Sequence, residues 1–209
     1  MKKYIYILLF ISISANSQEK ALLKADKKFQ QEHFIEAIKI YEQLAKKGVA
    51  SVEIYQRLGD SYYFNANYKI AAEWYQKAFS LTTDLNPEYY YRYALTLKSI
   101  GQIEESDNYM SKYISLVPEQ NRAQILKKEN NYKEYIKQNS DRFELKTLSI
   151  NSPNSDFGGS FYKDQLVFST SRESKSIYKR THSWTGLPFT SLFSGTINSD
   201  GLVSDAKKF

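Results

Sequence analysis

The sequence predicts an α + β chain with its two classes of structure in separate domains: a helical repeat array over residues 18–138, then a β-rich segment over residues 143–209. Three observations carry this. Apolar residues recur at helical spacing as far as residue 138, and the pattern they make repeats itself along the chain at a constant interval. After Asn139 the helical period stops, and Ser, Thr, Gly, Asn and Asp appear among short apolar runs.

The repeat comes first. Ala37, Tyr41 and Leu44 stand at i, i+4, i+7, and the same pattern returns as Ala71, Tyr75 and Ala78, every member moved on by the step that separates Ala37 from Ala71. Upstream of the second set stand Tyr55, Leu58, Gly59 and Tyr62. A third copy runs from Pro87 through Tyr90, Tyr93, Ala94, Leu97, Gly101, Met110 and Tyr113 to Pro118, with Ser106 at a position where Ala is expected. Its start comes one position later than that step predicts, which places a single inserted residue in the loop 82–86. Helices are therefore expected over 19–31, 34–47, 51–64, 68–81, 87–100 and 103–116, with turns at Asn65–Asn67 and Ser99–Gln102. Small residues such as Gly59, Ala71, Ala78 and Ala94 let paired helices approach closely, while Tyr and Leu fill the gaps between pairs. One such pair cannot bury its apolar face alone; about three are needed for stability. Residues 119–138 read as one further amphipathic helix, polar on most sides, that caps the open end of the array.

These residues resemble the tetratricopeptide repeat pattern, with Tyr in place of its Trp and of its later Phe. The resemblance implies three repeats, about 18–50, 52–86 and 87–118, that hold a protein or peptide partner on the concave face of their first helices. By repeat register that face carries Asp26, Phe29, Glu53, Gln56, Asp60, Tyr63, Tyr91 and Lys98. The set is acidic and aromatic, without the Lys and Asn of repeats that clamp C-terminal carboxylates, so a basic or tyrosine-tolerant segment is the expected ligand.

Composition narrows the classes. With 18 Tyr, 12 Phe and 2 Trp the chain is rich in rings suited to half-buried packing and contact surfaces. The formal charge is +6; two of the 29 Lys and Arg, Lys2 and Lys3, lie in the leader, which leaves 27 against 23 acidic residues. Those charges interleave along helices and form no basic stripe, so nucleic acid is not an expected partner. The sequence has no Cys, which leaves disulfides, cysteine lipidation and thiolate metal sites without their residue.

Residues 1–17 read as a secretory signal: Lys2-Lys3, an apolar stretch Tyr4–Ile13, and small residues Ala15-Asn16-Ser17 before a cleavage expected ahead of Gln18. The apolar stretch is shorter than the roughly 20 residues a spanning helix needs.

In the C-terminal part, Phe143–Ile150, Gly159–Tyr162, Gln165–Thr170 and Ser176–Arg180 read as strands, with turns at Ser152–Ser155, Lys163-Asp164 and Asn198–Gly201. The run Ser155-Asp156-Phe157-Gly158-Gly159-Ser160-Phe161-Tyr162, followed by Leu166–Arg172, resembles a WD40-like (PD40) propeller repeat; Thr181–Phe189 resembles the outer part of the same blade. Signal, helical repeats and blade in that order resemble the N-terminal part of OmpA-family proteins of Bacteroidetes, which include the peptidoglycan-associated component of type IX secretion. The resemblance implies a periplasmic, outer-membrane-associated protein, with outer-membrane or type IX secretion components as partners. In that family peptidoglycan is gripped by an OmpA-like domain absent from this sequence. A propeller needs about four blades. Residues 143–209 supply little more than one, so the chain is expected to be a truncated or partial product with an incomplete propeller.

No catalytic chemistry is expected. Asp156-Phe157-Gly158 lacks the Gly-rich loop, lysine and catalytic segment of a kinase. His33 and His182 stand without metal-ligand spacing, and no phosphate-binding loop or nucleophile elbow is present, so neither cofactor nor metal is expected.

Overall fold

The structure, a computed structural model, describes residues 17–49, 51–128, 132–140, 142, 144–172 and 180–209. The expected leader lies outside them apart from residue 17, which already belongs to the first helix. That helix, α1, is described over 17–30. There follow α2 (Phe34–Lys46), α3 (Val52–Phe64), α4 (Tyr68–Leu81), α5 (Pro87–Ser99), α6 (Ile103–Leu116), α7 (Asn121–Lys128) and α8 (Tyr132–Asn139). The six repeat helices match their expected ranges to within two positions at either end.

Local chemistry sets these boundaries. Ser51 Oγ accepts the Ile54 N–H at 3.1 Å and starts α3, and Asn86 accepts the Glu88 N–H at 3.0 Å ahead of Pro87. The first helix of each pair ends in the same turn. The N–H groups of His33, Asn67 and Gln102 return to the carbonyls of Lys28, Tyr62 and Leu97, each at 2.9 Å. Those of Glu32, Ala66 and Gly101 return to Phe29, Tyr63 and Lys98. This is a Schellman closure, and it forces the middle residue left-handed, at φ 59°, 55° and 82°. Only the third copy has glycine there. Ala66→Gly should therefore raise stability by about 0.5–1 kcal/mol, visible as a higher urea midpoint.

Each second helix buries one stripe: Phe34, Ala37, Ile38, Tyr41 and Leu44 on α2, and Ala71, Ala72, Tyr75, Ala78 and Phe79 on α4. One buried cluster joins Ala25, Tyr41, Ile54 and Leu58, another joins Tyr75, Phe79, Tyr90, Tyr93, Leu97 and Tyr113; Tyr55 and Tyr62 pack against both. Gly59 marks the tightest approach of a helix pair. A Cβ there would stand 2.5 Å from Cδ1 and Cε1 of Tyr75. Within the expected capping segment 119–138 the described residues form α7 and α8, and residues 129–131 lie outside the described ones. Ala123 of α7 is fully buried in the second cluster with Leu126 beside it, and Tyr135 and Ile136 of α8 are exposed.

The chain divides into two compact units between Tyr132 and Lys133. The second holds an antiparallel meander of β1 (Asp156–Tyr162), β2 (Gln165–Thr170), β3 (Ser191–Ile197) and β4 (Val203–Lys208), in that spatial order. The turns at Lys163-Asp164 and Asn198–Gly201 fall where expected; Asn198 Oδ1 accepts the N–H groups of Asp200 at 3.1 Å and Leu202 at 2.8 Å.

One strand expectation needs correction, one falls mostly outside the described residues, and two strands are additional. Residues 144–148 have no regular structure and 149–150 form a turn, so Phe143–Ile150 is not a strand. This segment holds to the sheet through the Ile150 carbonyl, which accepts from Arg172 at 2.8 Å, and not through a ladder. The segment Ser176–Arg180 lies outside the described residues except for Arg180, which has no regular structure. Strands β3 and β4 were not expected at all: β3 contains Gly195, and β4 (VSDAKK) is rich in charge and poor in β-propensity.

Asp156 anchors the sheet. Its carboxylate accepts the N–H and hydroxyl of Ser152 at 2.6 and 2.8 Å, and Arg172 at 3.0 Å. Burial pushes this carboxyl upward, but hydrogen bonds from Thr170, Ser152 and Arg172 outweigh it and hold it well below the usual carboxylate range. A depressed folded value stabilises above the unfolded value of about 3.9 and is lost as pH falls through the folded one. Sheet stability should accordingly decline on acidification below about pH 4. Asp156→Asn should weaken the sheet at neutral pH and flatten that acid limb, followed by hydrogen exchange over residues 191–208.

Candidate protein-interaction face

The first helices of successive pairs, α1, α3, α5 and α7, are linked side by side by their own side chains. Arg57 of α3 lies over the Phe29 ring of α1 at 4.6 Å, and Arg92 of α5 reaches Asp60 of α3 at 2.8 Å. Arg122 of α7 reaches Glu88 of α5 at 2.9 Å and lies over Tyr91 at 4.5 Å. Tertiary contacts thus arrange one continuous face from four separate helices.

Its aspartates are committed within the protein. Asp26 accepts the phenol of buried Tyr41 at 2.5 Å, and Asp60 accepts that of buried Tyr75 at 2.8 Å. Asp60 and Tyr75 stand one repeat after Asp26 and Tyr41, so this is one device used twice. In the third repeat the corresponding positions are Leu95 and Met110: acceptor and phenol disappear together. Asp60 is only 2% exposed, and burial pushes its carboxyl above the usual range against the pull of Arg92 and the Tyr75 hydroxyl. Burial and the Asp60 charge in turn push Tyr89 up to about 12. Asp60 therefore belongs to the frame of the array and not to its contact surface. A partner could reach its carboxylate only by breaking two hydrogen bonds.

The remaining expected residues sit as follows. Phe29 is half-buried, edge-on to Phe34 with centroids 5.3 Å apart. Glu53 is exposed, with an Oε1 3.9 Å from Arg57 Nη2. Gln56 is half-buried and Lys98 exposed. Tyr63 is half-buried, edge-on to Phe64 and Tyr68 at 5.6 and 5.9 Å. Tyr91 is half-buried against Tyr113 at 5.2 Å. Phe29, Glu53, Gln56, Tyr63, Tyr91 and Lys98 thus keep surface on the first helices, whereas Asp26 and Asp60 are turned to internal use.

Sequence reasoning overlooked the arginines. Glu53 and Arg57, at i and i+4, return as Glu88 and Arg92 after the same step that relates Tyr55 to Tyr90. That recurrence was the available signal. Each guanidinium lies over a ring: Arg57 on Phe29, Arg92 on Phe64 at 5.2 Å, Arg122 on Tyr91. With the aspartates internally engaged, the face is less acidic than its composition implies.

The second helices carry a repeated feature too. Trp74 and Lys77, with Tyr55, line a cleft of about 300 Å³. The residues one repeat on, Tyr109 and Lys112 with Tyr90, line one of about 440 Å³. Among the described residues no group of His, Asp and Glu could hold a metal ion, and no helix is long and apolar enough to cross a membrane.

Comparison with known proteins agrees with the repeat reading. The tetratricopeptide repeat family model matches residues 52–84 and 87–120. No curated protein matches the chain. Among solved structures, it is similar to the C-terminal part of a TPR repeat-containing protein from Cytophaga hutchinsonii, at 25% identity and a TM-score of 0.43, over 45% of this chain and 37% of that one. It is similar to the MamA protein at 15% identity and a TM-score of 0.45, over 51% of this chain and 58% of that one. The first TPR of Spaghetti (RPAP3), bound to an HSP90 peptide, gives 18% identity and a TM-score of 0.45 over 58% and 90% of the two chains. The chain thus spans less than two thirds of the first two structures' lengths. Residues 52–84 and 87–120 of this chain, which hold α3 to α6, are tetratricopeptide repeats.

Proposed function

We propose that this chain is a non-enzymatic interaction scaffold whose first-helix face holds a segment of a partner protein. The supporting observation is the continuous face of α1, α3, α5 and α7, on which Phe29, Tyr63 and Tyr91 are half-buried while Asp60 beneath is held by Tyr75 and Arg92. Aromatic groups on a rigid support suit contact with another polypeptide, because little side-chain freedom remains to be lost on binding. The test is capture from an envelope fraction on the immobilised full chain, with Tyr63→Ala/Tyr91→Ala beside it. A protein retained by the first and lost by the second supports this reading; equal retention counts against it.

The same proposal places the protein in the periplasm at the outer membrane, exported by residues 1–17. A second reading is that it forms the N-terminal part of a peptidoglycan-anchoring OmpA-family protein serving type IX secretion or envelope integrity. The meander order β1-β2-β3-β4 favours it, since a propeller blade is a four-stranded sheet. Fractionation of cells carrying the tagged full chain tests both: recovery in the cytosol would count against either.

A further inference from the structure

We infer that the second helices carry a separate docking track for an extended peptide segment, one with an apolar residue at every third position and an acid beside the first. The track uses other surface than the scaffold face, so its failure leaves that reading untouched. On α4, Trp74, Lys77 and Leu81 stand at i, i+3 and i+7; on α6, Tyr109, Lys112 and Leu116 repeat them after the step that relates Tyr55 to Tyr90. This stripe is distinct from the buried one of Ala71, Tyr75 and Ala78. Trp74 and Tyr109 are half-buried, whereas Leu81 is 51% and Leu116 42% exposed. The equivalent positions on α2 are Ile40, Gln43 and Lys47, so the stripe is confined to α4 and α6. Exposed apolar groups gathered in register in this way suit a contact surface.

Each stripe borders one of the two clefts, and the clefts differ in charge. In the first, the rings of Tyr55 and Trp74, 5.6 Å apart, make an apolar floor beside Ala45. In the second, Tyr90 and Tyr109, 6.1 Å apart, do the same beside Leu116. Lys46 and Lys77 line the first cleft, and neither meets a carboxylate among the described residues; Lys77 Nζ lies over the Trp74 ring at 3.9 Å. The acid of that cleft, Glu42, already accepts the Tyr62 phenol. In the second cleft Asp84 stands with Lys112. The first station thus suits an apolar residue next to Asp or Glu, and the second an apolar residue without a charge. Spacing selects the form of the chain that spans them. Helices α4 and α6 touch through Phe79 and Tyr109, whose centroids lie 5.0 Å apart, and packed helices stand roughly 8–10 Å axis to axis. A polyproline II turn of three residues advances about 9 Å, so it sets every third side chain over successive clefts.

The test is fluorescence polarisation of a labelled, end-blocked peptide, Pro-Pro-Leu-Glu-Pro-Leu-Pro-Pro, titrated with the full chain. Saturable binding is expected. Replacing either Leu of the peptide with Ser should weaken it about tenfold or more, and Glu with Gln about threefold or more. Lys46→Gln/Lys77→Gln in the protein should weaken the parent peptide as much as its own Gln does, and should add nothing against the Gln peptide, because both changes remove one interaction. Circular dichroism checks that the helices of this variant remain. No saturable binding, or binding indifferent to the two lysines, overturns the inference. Loss of binding on Tyr63→Ala/Tyr91→Ala would put the peptide on the first-helix face and overturn it equally. Light scattering covers the remaining occupant: a dimer of the full chain that Leu81→Ser/Leu116→Ser dissociates would make the stripe an interface between copies and overturn the peptide assignment.

Discussion

Replacing Asp60 with Ala should destabilise the array by about 3 kcal/mol, because it removes one partner of a largely buried ion pair. Asp60 is 3% exposed at its side chain and Arg92 23%, so the guanidinium left behind is poorly compensated by water; Glu88, at 3.3 Å, stays as its partial support. The Tyr75 phenol loses its acceptor in the same step, and its ring cannot withdraw because Gly59 lies against it. The third repeat suggests a remedy. It carries Leu95 and Met110 where the second has Asp60 and Tyr75. Asp60→Leu combined with Tyr75→Met should therefore be less destabilising than the two single changes summed, by about 1 kcal/mol or more in a double-mutant cycle. Urea unfolding followed by the helical signal measures all four proteins. Strict additivity would show that the phenol and the carboxylate do not act as a unit.

The second large effect concerns the sheet. Gly195→Ala places a Cβ 2.6 Å from Val203 Cγ1 and 2.8 Å from the carbonyl oxygen of Ser204. Side chains can turn away, but a ladder carbonyl moves only with its strand. Gly195 also falls where the β3–β4 register shifts, between Ser194 and Thr196, so β4 must either slide or detach. Overpacking of this kind costs about 2–3 kcal/mol. Amides over residues 191–208 should exchange about 30-fold faster or more, while those over 52–116 keep their rates. Unchanged exchange in β4 would mean that the strand accommodates the methyl elsewhere.

The contrast between these two sites tracks what was legible in the sequence. A regular repeat fixes helix ends, because the apolar stripes and the turn residues 32, 66 and 101 recur in step. Hence α1 to α6 could be placed closely. The same register put Asp26 and Asp60 on the first-helix face, where their backbone does lie. It could not show that Tyr41 and Tyr75, each on the following helix, turn their hydroxyls back to them, since that depends on how closely the pair packs. Arg57 and Arg92 were readable as a repeated i, i+4 pair with glutamate. They were missed because such a pair, taken alone, reads as a solvated helix face. In the sheet the strands lack a period to cross-check. Gly195 is present because β4 comes so close, which only the paired strands reveal, and an edge strand of Ser, Asp and Lys reads locally as a loop.

The two seams of the array are fastened by different means. Between the first and second repeats the Tyr62 phenol donates to Glu42 at 2.7 Å, beside the stacked rings of Phe34 and Phe64. Between the second and third stands the bridge from Asp60 to Arg92. In a quasi-one-dimensional protein stability is a sum of unit and nearest-neighbour terms, so unequal seams mean unequal unzipping. Melting should start by peeling α1 and α2 away, leaving α3 to α7 as the last cooperative block to dissolve.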